Sequence, residues 1–275
     1  MQVHSIECGS MRPYGGGLWD ATTPGLGPAH LACRCLLLES EAGLVLVDTG
    51  FGLDDAAQPV PRLSRGFYLA DRPHLEADET AVSRLRRMGL DPREVRHIVM
   101  THLDFDHAGG LTDFPDATVH VSAREIEAAR RRDTPRERGR YRPMQLAHPM
   151  RGYDRTGDPW FGLPALRGLE GLPPSIFLVE LPGHTAGHCG VAIDTGNGWV
   201  LHAGDTIFMH SELEQPPRMP PLASAYANFM QVDRTARLES RRRLMALARD
   251  HAEEVTIICT HDPHLPEQAG RRVIG

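Results

Sequence analysis

Near the middle of the chain, a short apolar run leads directly into a dense group of side chains that can bind metal ions. The run spans residues 97–100 and has the length and composition of a short buried strand. Four metal-competent side chains follow in the pattern H-x-D-x-D-H: His102, Asp104, Asp106 and His107. Histidine and carboxylate together suit zinc, iron or manganese, whereas purely structural zinc sites usually use thiolates. Because Ala-Gly-Gly at residues 108–110 also lets the backbone approach a ligand closely, we predict a metal site here rather than a solvated polar turn.

Polar residues also follow other predicted strands. These are Asp48 after a hairpin of residues 31–39 and 44–47, Asp205 after residues 199–202, and His261 after residues 255–259. Helical spacing appears at residues 78–88 and around Leu244, and Ser122 and Glu125 have the spacing of a capping box that begins another helix. The predicted fold class is therefore α/β, with candidate site residues beyond the carboxyl ends of strands, where α/β sites commonly lie.

The length and local composition of the chain indicate its domain organisation. A chain of 275 residues suits one α/β domain, and we predict a single domain over residues 1–275. Residues 126–175 are rich in arginine, proline and glycine, and we predict an insertion of short helices and loops that overhangs the site. The arginines between residues 130 and 142 indicate a solvated face. An anion-binding lid and a homodimer surface are the alternatives.

Charge and hydropathy limit the class of partner. The net charge of -6 disfavours a general nucleic-acid binder, because duplex binding normally needs a basic surface. No stretch approaches the ~20 apolar residues of a membrane span, and the first residues lack the layout of a secretory signal. We therefore predict a cytoplasmic protein that acts on a small molecule, without a nucleic-acid or membrane partner.

The order of these motifs resembles that of the metallo-β-lactamase superfamily. The superfamily has H-x-H-x-D-H at the position of the first cluster, followed by a distant histidine, a bridging aspartate and a last histidine. The matching segments here are Gly183-His184-Thr185-Ala186-Gly187-His188, Gly204-Asp205-Thr206, Thr260-His261-Asp262 and the early Asp48-Thr49-Gly50. The likeness covers residues 31–262, and it implies an αββα sandwich of two mixed β-sheets flanked by helices.

The resemblance also implies two metal ions and their ligands. One ion would be held by His102, Asp104 and His184, the other by Asp106, His107 and His261, with Asp205 bridging the two. Asp48 and His188 would lie behind these ligands and orient them. The implied cofactors are two divalent transition-metal ions, with zinc as the first choice and iron or manganese as alternatives.

Asp104 stands where the superfamily usually has histidine. With two divalent ions and a bridging hydroxide, three carboxylates make the ligand set formally neutral, whereas a histidine at this position would leave one positive charge. The flavodiiron relatives also have an acidic residue here. The identity of the metal therefore stays open at this point.

The resemblance implies a hydrolytic reaction. A metal-bridging hydroxide would attack the carbonyl of an ester or lactone, with Asp106 or Asp205 assisting proton transfer to the leaving oxygen. The opening residues 8–11, the insertion and the ending at residues 260–263 look like the N-acyl homoserine lactonase-like branch. That branch has a substrate-facing tyrosine where this chain has Phe208, so Tyr226 or Tyr141 is expected to complete the substrate pocket.

Other functions stay open on the sequence. A glyoxalase II-like thioesterase would use the same attack, although a glutathione-binding C-terminal region is not apparent. A phosphodiesterase is disfavoured by the net negative charge of the chain. Asp104 suggests a diiron redox protein, but no flavodoxin domain follows His261. A non-catalytic sensor is a further alternative, although such modules usually lose metal ligands.

Overall fold

The strands of this protein form two β-sheets. The computed structural model describes residues 1–266, 269–270 and 272–274. The first sheet contains β1 (Gln2–Met11), β2 (Leu31–Ser40), β3 (Gly43–Val47), β4 (Pro73–His74), β5 (Val95–Val99), β6 (Thr118–Ser122) and β7 (Met150–Tyr153). The second sheet contains β8 (Ala165–Leu166), β9 (Ile176–Glu180), β10 (Cys189–Asp194), β11 (Trp199–His202) and β12 (Val255–Ile258).

Both sheets mix parallel and antiparallel neighbours. The strand order is β4-β1-β2-β3-β5-β6-β7 in the first sheet and β12-β11-β10-β9-β8 in the second. Strands β3, β5, β6 and β7 are parallel to one another, and so are β11 and β12, while the other neighbouring pairs are antiparallel. The segments that leave the carboxyl ends of β3, β5, β11 and β12 meet at one edge of the molecule, where the polar motifs lie.

Helices accompany the two sheets. In the described chain they are α1 (Gly17–Asp20), α2 (Leu53–Ala57), α3 (Pro59–Arg62), α4 (Arg65–Ala70), α5 (Ala81–Arg87), α6 (Phe105–Ala108), α7 (Ala123–Arg131), α8 (Pro135–Arg140), α9 (Pro221–Met230) and α10 (Arg234–Asp250). Among the described residues, no helix has the length and hydropathy needed to cross a membrane.

The hydrophobic core has three layers that follow from the strand pleat. Leu36 and Val45 of the first sheet share one buried cluster with Leu178 and Val191 of the second, so this cluster lies between the sheets. Alternate side chains of the first sheet face α5 and α7, and those of the second sheet face α10. The predicted αββα sandwich with two mixed sheets is therefore confirmed.

Most of the predicted strands are present, but the first strand, β1, was missed. The hairpin of β2 and β3 occurs as predicted. Strand β1 has few large apolar residues, and a register shift between Glu7 and Ser10 interrupts its alternation. Periodicity alone therefore gave no signal for this strand.

The segment of residues 126–175 contributes strands as well as helices and loops. Strand β7 pairs with β6 at one edge of the first sheet, and β8 pairs with β9 at one edge of the second. Only short helices and loops were predicted here, because β7 and β8 have four and two residues and are too short for a hydropathy pattern. The single-domain organisation stays a prediction.

Candidate metal centre

The structure brings the seven predicted metal-binding side chains together at one edge of the sandwich. Four follow β5, one lies in the β9–β10 turn, one lies in a 3-10 turn after β11, and one follows β12: His102, Asp104, Asp106, His107, His184, Asp205 and His261. All seven are buried. Because the strands before them end at the same edge, side chains that are distant in sequence converge there.

His102, Asp104 and His184 form the first group of candidate ligands. The Asp104 Oδ2 atom lies 3.1 Å from Nε2 of His184 and 3.6 Å from Nε2 of His102. Two ring nitrogens and one carboxylate oxygen therefore face a common point. This arrangement matches three protein ligands of a catalytic metal ion.

Asp106, His107 and His261 form the second group, and Asp205 lies between the groups. Asp106 Oδ2 is 3.8 Å from Nε2 of His107 and 3.6 Å from Nε2 of His261. Asp205 places Oδ1 3.2 Å from Nε2 of His107, and its Oδ2 lies 3.5 Å from Nε2 of His184. Asp205 therefore faces both groups.

The hydrogen bonds of three histidines fix which ring nitrogen is free to bind a metal. Nδ1 of His107 donates to Asp48 at 2.8 Å, and Nδ1 of His261 donates to the Ala32 carbonyl at 2.8 Å. Nδ1 of His102 lies 3.0 Å from the Thr101 hydroxyl, which itself donates to Asp48. In each ring Nε2 faces the cluster, and the buried Nε2 atoms of His102 and His107 have no hydrogen-bond partner in the described chain. Such a donor set fits divalent metal ions.

The electrostatic environment differs between the members of the cluster. Burial and the neighbouring His107 lower the pKa of His102 to about 4, so this imidazole is neutral near pH 7. Burial opposes the ionisation of Asp205, but His261 and His107 outweigh it and lower its pKa. His102 and Asp205 are thus in the neutral and ionised forms, respectively, that bind a cation.

His188 lies behind the cluster and holds the loop that contains Asp205. Its Nε2 accepts a hydrogen bond of 3.0 Å from the backbone N–H of Asp205, and its ring packs against His102 at 4.8 Å between centroids. Gly204 adopts φ of 52°, and a Cβ there would lie 2.6 Å from Nε2 of His188. Only glycine therefore allows this close approach of the loop.

Arg140 is a residue of the site that sequence reasoning missed. Its Nε lies 3.2 Å from Oδ1 of Asp104, and both side chains are buried. Its two terminal nitrogens donate to the backbone carbonyls of His184 and Met230, at 2.9 and 2.8 Å. The replacement of a usual histidine by Asp104 was the available signal, because an extra buried carboxylate needs a cation nearby.

Glu125 is the second residue that was missed. Ser122 makes no side-chain cap, and the buried Glu125 carboxylate points inward rather than back to the helix end. It accepts hydrogen bonds from the Leu103 and Gly187 backbone N–H groups, from the Thr185 hydroxyl and from the Tyr141 hydroxyl. Glu125 therefore ties the H-x-D-x-D-H segment to the turn that contains His184, and the phenol of Tyr141 is engaged in this support.

An open cavity of about 1150 Å³ lies beside the metal cluster. Its lining includes Phe105, Arg140 and Tyr226. The ring of Phe208 packs between the cluster and this cavity, with its centroid 5.0 Å from that of His261 and 6.2 Å from that of Tyr226. Burial and then the charges of Asp71, Asp106 and Asp104 raise the pKa of Tyr226.

The fold and this cluster together define a metal-dependent hydrolase. A family model described as the metallo-beta-lactamase superfamily matches residues 29–261, and the chain belongs to that superfamily.

Sequence relatives and solved structures point to the same class of enzyme. The chain is 37% identical over 271 residues to a probable metallo-hydrolase of Mycobacterium tuberculosis, and the match covers 98% of this chain and 83% of that protein. It is 29% identical over 198 residues to an N-acyl homoserine lactonase of Bacillus thuringiensis, with 71% of each chain covered. A solved N-acyl homoserine lactone hydrolase with a product at its metal centre superposes with a TM-score of 0.66 at 25% identity, covering 100% of this chain and 98% of that chain.

Proposed function

We propose that this protein is a dinuclear metal-dependent hydrolase that opens a lactone or cleaves a carboxylic ester with an apolar acyl group. The observation that supports this most directly is the position of the cluster beside a large open cavity with mainly apolar walls. The similarity to N-acyl homoserine lactonases supports the same reaction.

The ligand groups suit two divalent ions, with zinc as the proposed metal. His102, Asp104 and His184 would hold one ion, Asp106, His107 and His261 the other, and Asp205 would contact both. Bound in such a pair, divalent ions activate a water molecule and polarise a carbonyl oxygen. Zinc is favoured because imidazole nitrogens make up four of the seven candidate ligands.

The residues of the chain supply proton transfer and orientation. Asp106 and Asp205 border the point where the two groups meet, and we assign to one of these carboxylates the transfer of a proton to the leaving oxygen. We assign to the Tyr226 phenol a hydrogen bond to an oxygen of the substrate, because Tyr226 lines the cavity and its ring packs against Phe208 beside the cluster. Phe208 then forms an apolar wall beside His261.

The lining of the cavity favours an apolar acyl group over a polyanion. Large apolar side chains dominate it: Trp19, Phe67, Phe105, Tyr226, Phe229 and Met230. Asp71 and Glu137 also line it, and burial followed by the charge of Asp106 raises the pKa of Asp71 to about 7. Arg136 and Arg140 line the cavity too, so its charged side chains are balanced rather than basic, and a phosphodiester has no excess positive charge to bind.

The proposal is tested by metal analysis together with a substrate panel. Purified protein repleted with zinc, iron or manganese is assayed with acyl homoserine lactones, aryl esters, thioesters and an aryl phosphodiester. We expect about two bound ions per chain and the highest kcat/KM for a lactone or an ester. His261→Ala should lose at least one ion and most activity, whereas His264→Ala, at an exposed histidine three positions along the chain, should keep both.

Each other outcome of the panel points to a defined alternative. The highest kcat/KM for thioesters would replace this assignment by a thioesterase, and selective cleavage of the phosphodiester by a phosphodiesterase. Bound iron with redox turnover and no hydrolysis would indicate a diiron redox protein.

The predictions of a homodimer, of no nucleic-acid partner and of a cytoplasmic location need separate measurements, which are oligomeric state, nucleic-acid binding and cell fractionation.

A further inference from the structure

Arg140 ends helix α8 and reaches three separate parts of the site. Its guanidinium lies 3.2 Å from the Asp104 carboxylate and donates to the backbone of His184 and of Met230 in α9. Its side chain is 0% exposed. A single residue of the segment after α7 therefore contacts two of the candidate ligands of the same metal group.

A buried guanidinium needs a compensating anion, because its desolvation cost is high. Among the described residues, Asp104 is the one carboxylate within ion-pair distance of Arg140. Asp104 in turn contacts Arg140 through only one of its two carboxylate oxygens. Oδ1 of Asp104 faces Arg140, while its Oδ2 faces His102 and His184, so the two oxygens of one carboxylate serve different neighbours.

We propose that Arg140 is the positioning residue that allows Asp104 to take the place of histidine in the metal site. The proposal rests on the proposed function only in that Asp104 binds a metal ion. An ionised aspartate paired with arginine has the zero net charge of a neutral imidazole. The pair therefore restores the single positive charge that the ligand set has when histidine occupies this position.

The contact also fixes the direction in which Asp104 binds. A carboxylate has two equivalent oxygens and rotates about its Cβ–Cγ bond, whereas an imidazole held by one ring nitrogen presents only the other nitrogen. Because the Arg140 guanidinium attracts Oδ1 from 3.2 Å, Oδ2 stays directed at His184 and His102. Residues behind a metal ligand typically change metal affinity about 10- to 100-fold when they are mutated.

The test is a double-mutant cycle with two readouts. Metal affinity is measured by competition with a chromophoric chelator, and stability is measured as the thermal unfolding midpoint of the metal-free protein. The variants are Arg140→Met, Asp104→His and the double variant. Arg140→Met should weaken the binding of one metal equivalent about 10- to 100-fold. Asp104→His should weaken it as well, because it leaves the Arg140 guanidinium buried beside the cations with no carboxylate. The double variant should bind metal at least about tenfold more tightly than either single variant.

Arg138→Met is the matched control, since Arg138 lies on the same helix, is exposed, and its side chain donates hydrogen bonds to the backbone carbonyls of Arg132 and Asp133. It should keep wild-type metal affinity and thermal midpoint. Additive losses in the double variant would overturn the proposal, because a residue with a merely structural role would be needed equally with histidine at position 104. Wild-type metal affinity in Arg140→Met would overturn it too.

If Arg140→Met does not fold, the metal affinity of Arg140→Lys tests the proposal instead. Lysine keeps the charge beside Asp104, so the variant should retain both metal equivalents, and loss of one equivalent from the folded protein would overturn the proposal.

The measurements also separate this inference from the proposed reaction. Metal binding without hydrolysis of any lactone or ester removes the proposed substrate only, whereas a wild-type protein that binds no divalent ion removes both.

Discussion

The carboxylate of Asp48 accepts a hydrogen bond of 2.8 Å from Nδ1 of His107. Asp48 itself is held by the backbone N–H and the hydroxyl of Thr101, at 2.8 and 2.7 Å, and it lies at the end of β3 with φ of 57°. Asp48, which follows β3, thus sets the tautomer of His107, a candidate ligand in the segment after β5. This order of contacts makes the site dependent on a residue that contacts no metal.

Asp48→Asn should weaken the binding of one metal equivalent about 10- to 100-fold, because an amide does not stabilise the Nδ1–H tautomer of His107 as a carboxylate does. Chelator competition measures the change. The exposed Asp116→Asn is the control and should bind metal like the wild type. An unchanged metal affinity in Asp48→Asn would show that the hydrogen bond does not orient His107.

Tyr226→Phe should lower kcat/KM for the preferred ester or lactone about tenfold, which corresponds to the loss of ~1.4 kcal/mol from one hydrogen bond in the transition state. Metal content should not change, because the phenol belongs to none of the ligand groups. Tyr14→Phe removes the hydroxyl of a tyrosine that is 60% exposed, and it should have no effect. Equal kcat/KM in Tyr226→Phe and wild type would contradict the assigned role.

Phe229→Ala should reduce the preference for long acyl chains, because Phe229 lines the cavity and is 61% exposed to it or to solvent. Loss of apolar contact worth ~1 kcal/mol lowers kcat/KM about fivefold for a decanoyl ester, and an acetyl ester should be unaffected. Leu69→Ala, at an exposed residue outside the cavity lining, is the control. A uniform effect on both esters would place the acyl group elsewhere.

His120 should make the protein less stable in acid, independently of the metal site. Its Nε2 lies 2.9 Å from Nδ1 of His97, and burial followed by the charges of His97 and Arg151 lowers its pKa from 6.5 to about 4. Between these pH values the unfolded chain binds more protons than the folded chain does, so stability falls as the pH drops through this window. His120 accounts for up to roughly 3 kcal/mol of that loss.

His120→Gln should therefore lose less stability than the wild type between pH 7 and pH 5, measured as free energies of unfolding in urea. The variant starts from a lower stability at pH 7, because it gives up the contacts to His97 and Tyr153. The difference between the two pH values is the readout. Identical pH dependence in both proteins would mean that His120 is protonated equally in the folded and unfolded states.

The candidate ligands were predictable because each belongs to a short local pattern at the end of a strand. His102 and Asp106 lie in one motif of six residues, and His184 lies in a second motif of the same kind. Such patterns need no knowledge of the tertiary fold. The αββα architecture followed from their order along the chain, since it matched that of a known superfamily.

Arg140 and Glu125 were not predictable in the same way, because their roles depend on which face of a helix meets the site. Arg140 lies in an arginine-rich stretch whose other members are mostly exposed, and only the folded chain distinguishes it from Arg138. The spacing from Ser122 to Glu125 satisfies the capping-box pattern, yet Glu125 finds stronger partners across the sandwich. Local spacing does not reveal such competition between partners.

The two short edge strands β7 and β8 belong to different sheets although they come from one continuous segment of the chain. Exchanging that segment for the corresponding piece of another hydrolase would remove the outer strand of both layers at once and, with it, the arginine beside Asp104. New substrate preferences are therefore more accessible through single replacements in the cavity wall than through segment grafting. Residues 126–175 look like a dispensable insertion in the sequence, but they supply an edge strand to each of the two sheets.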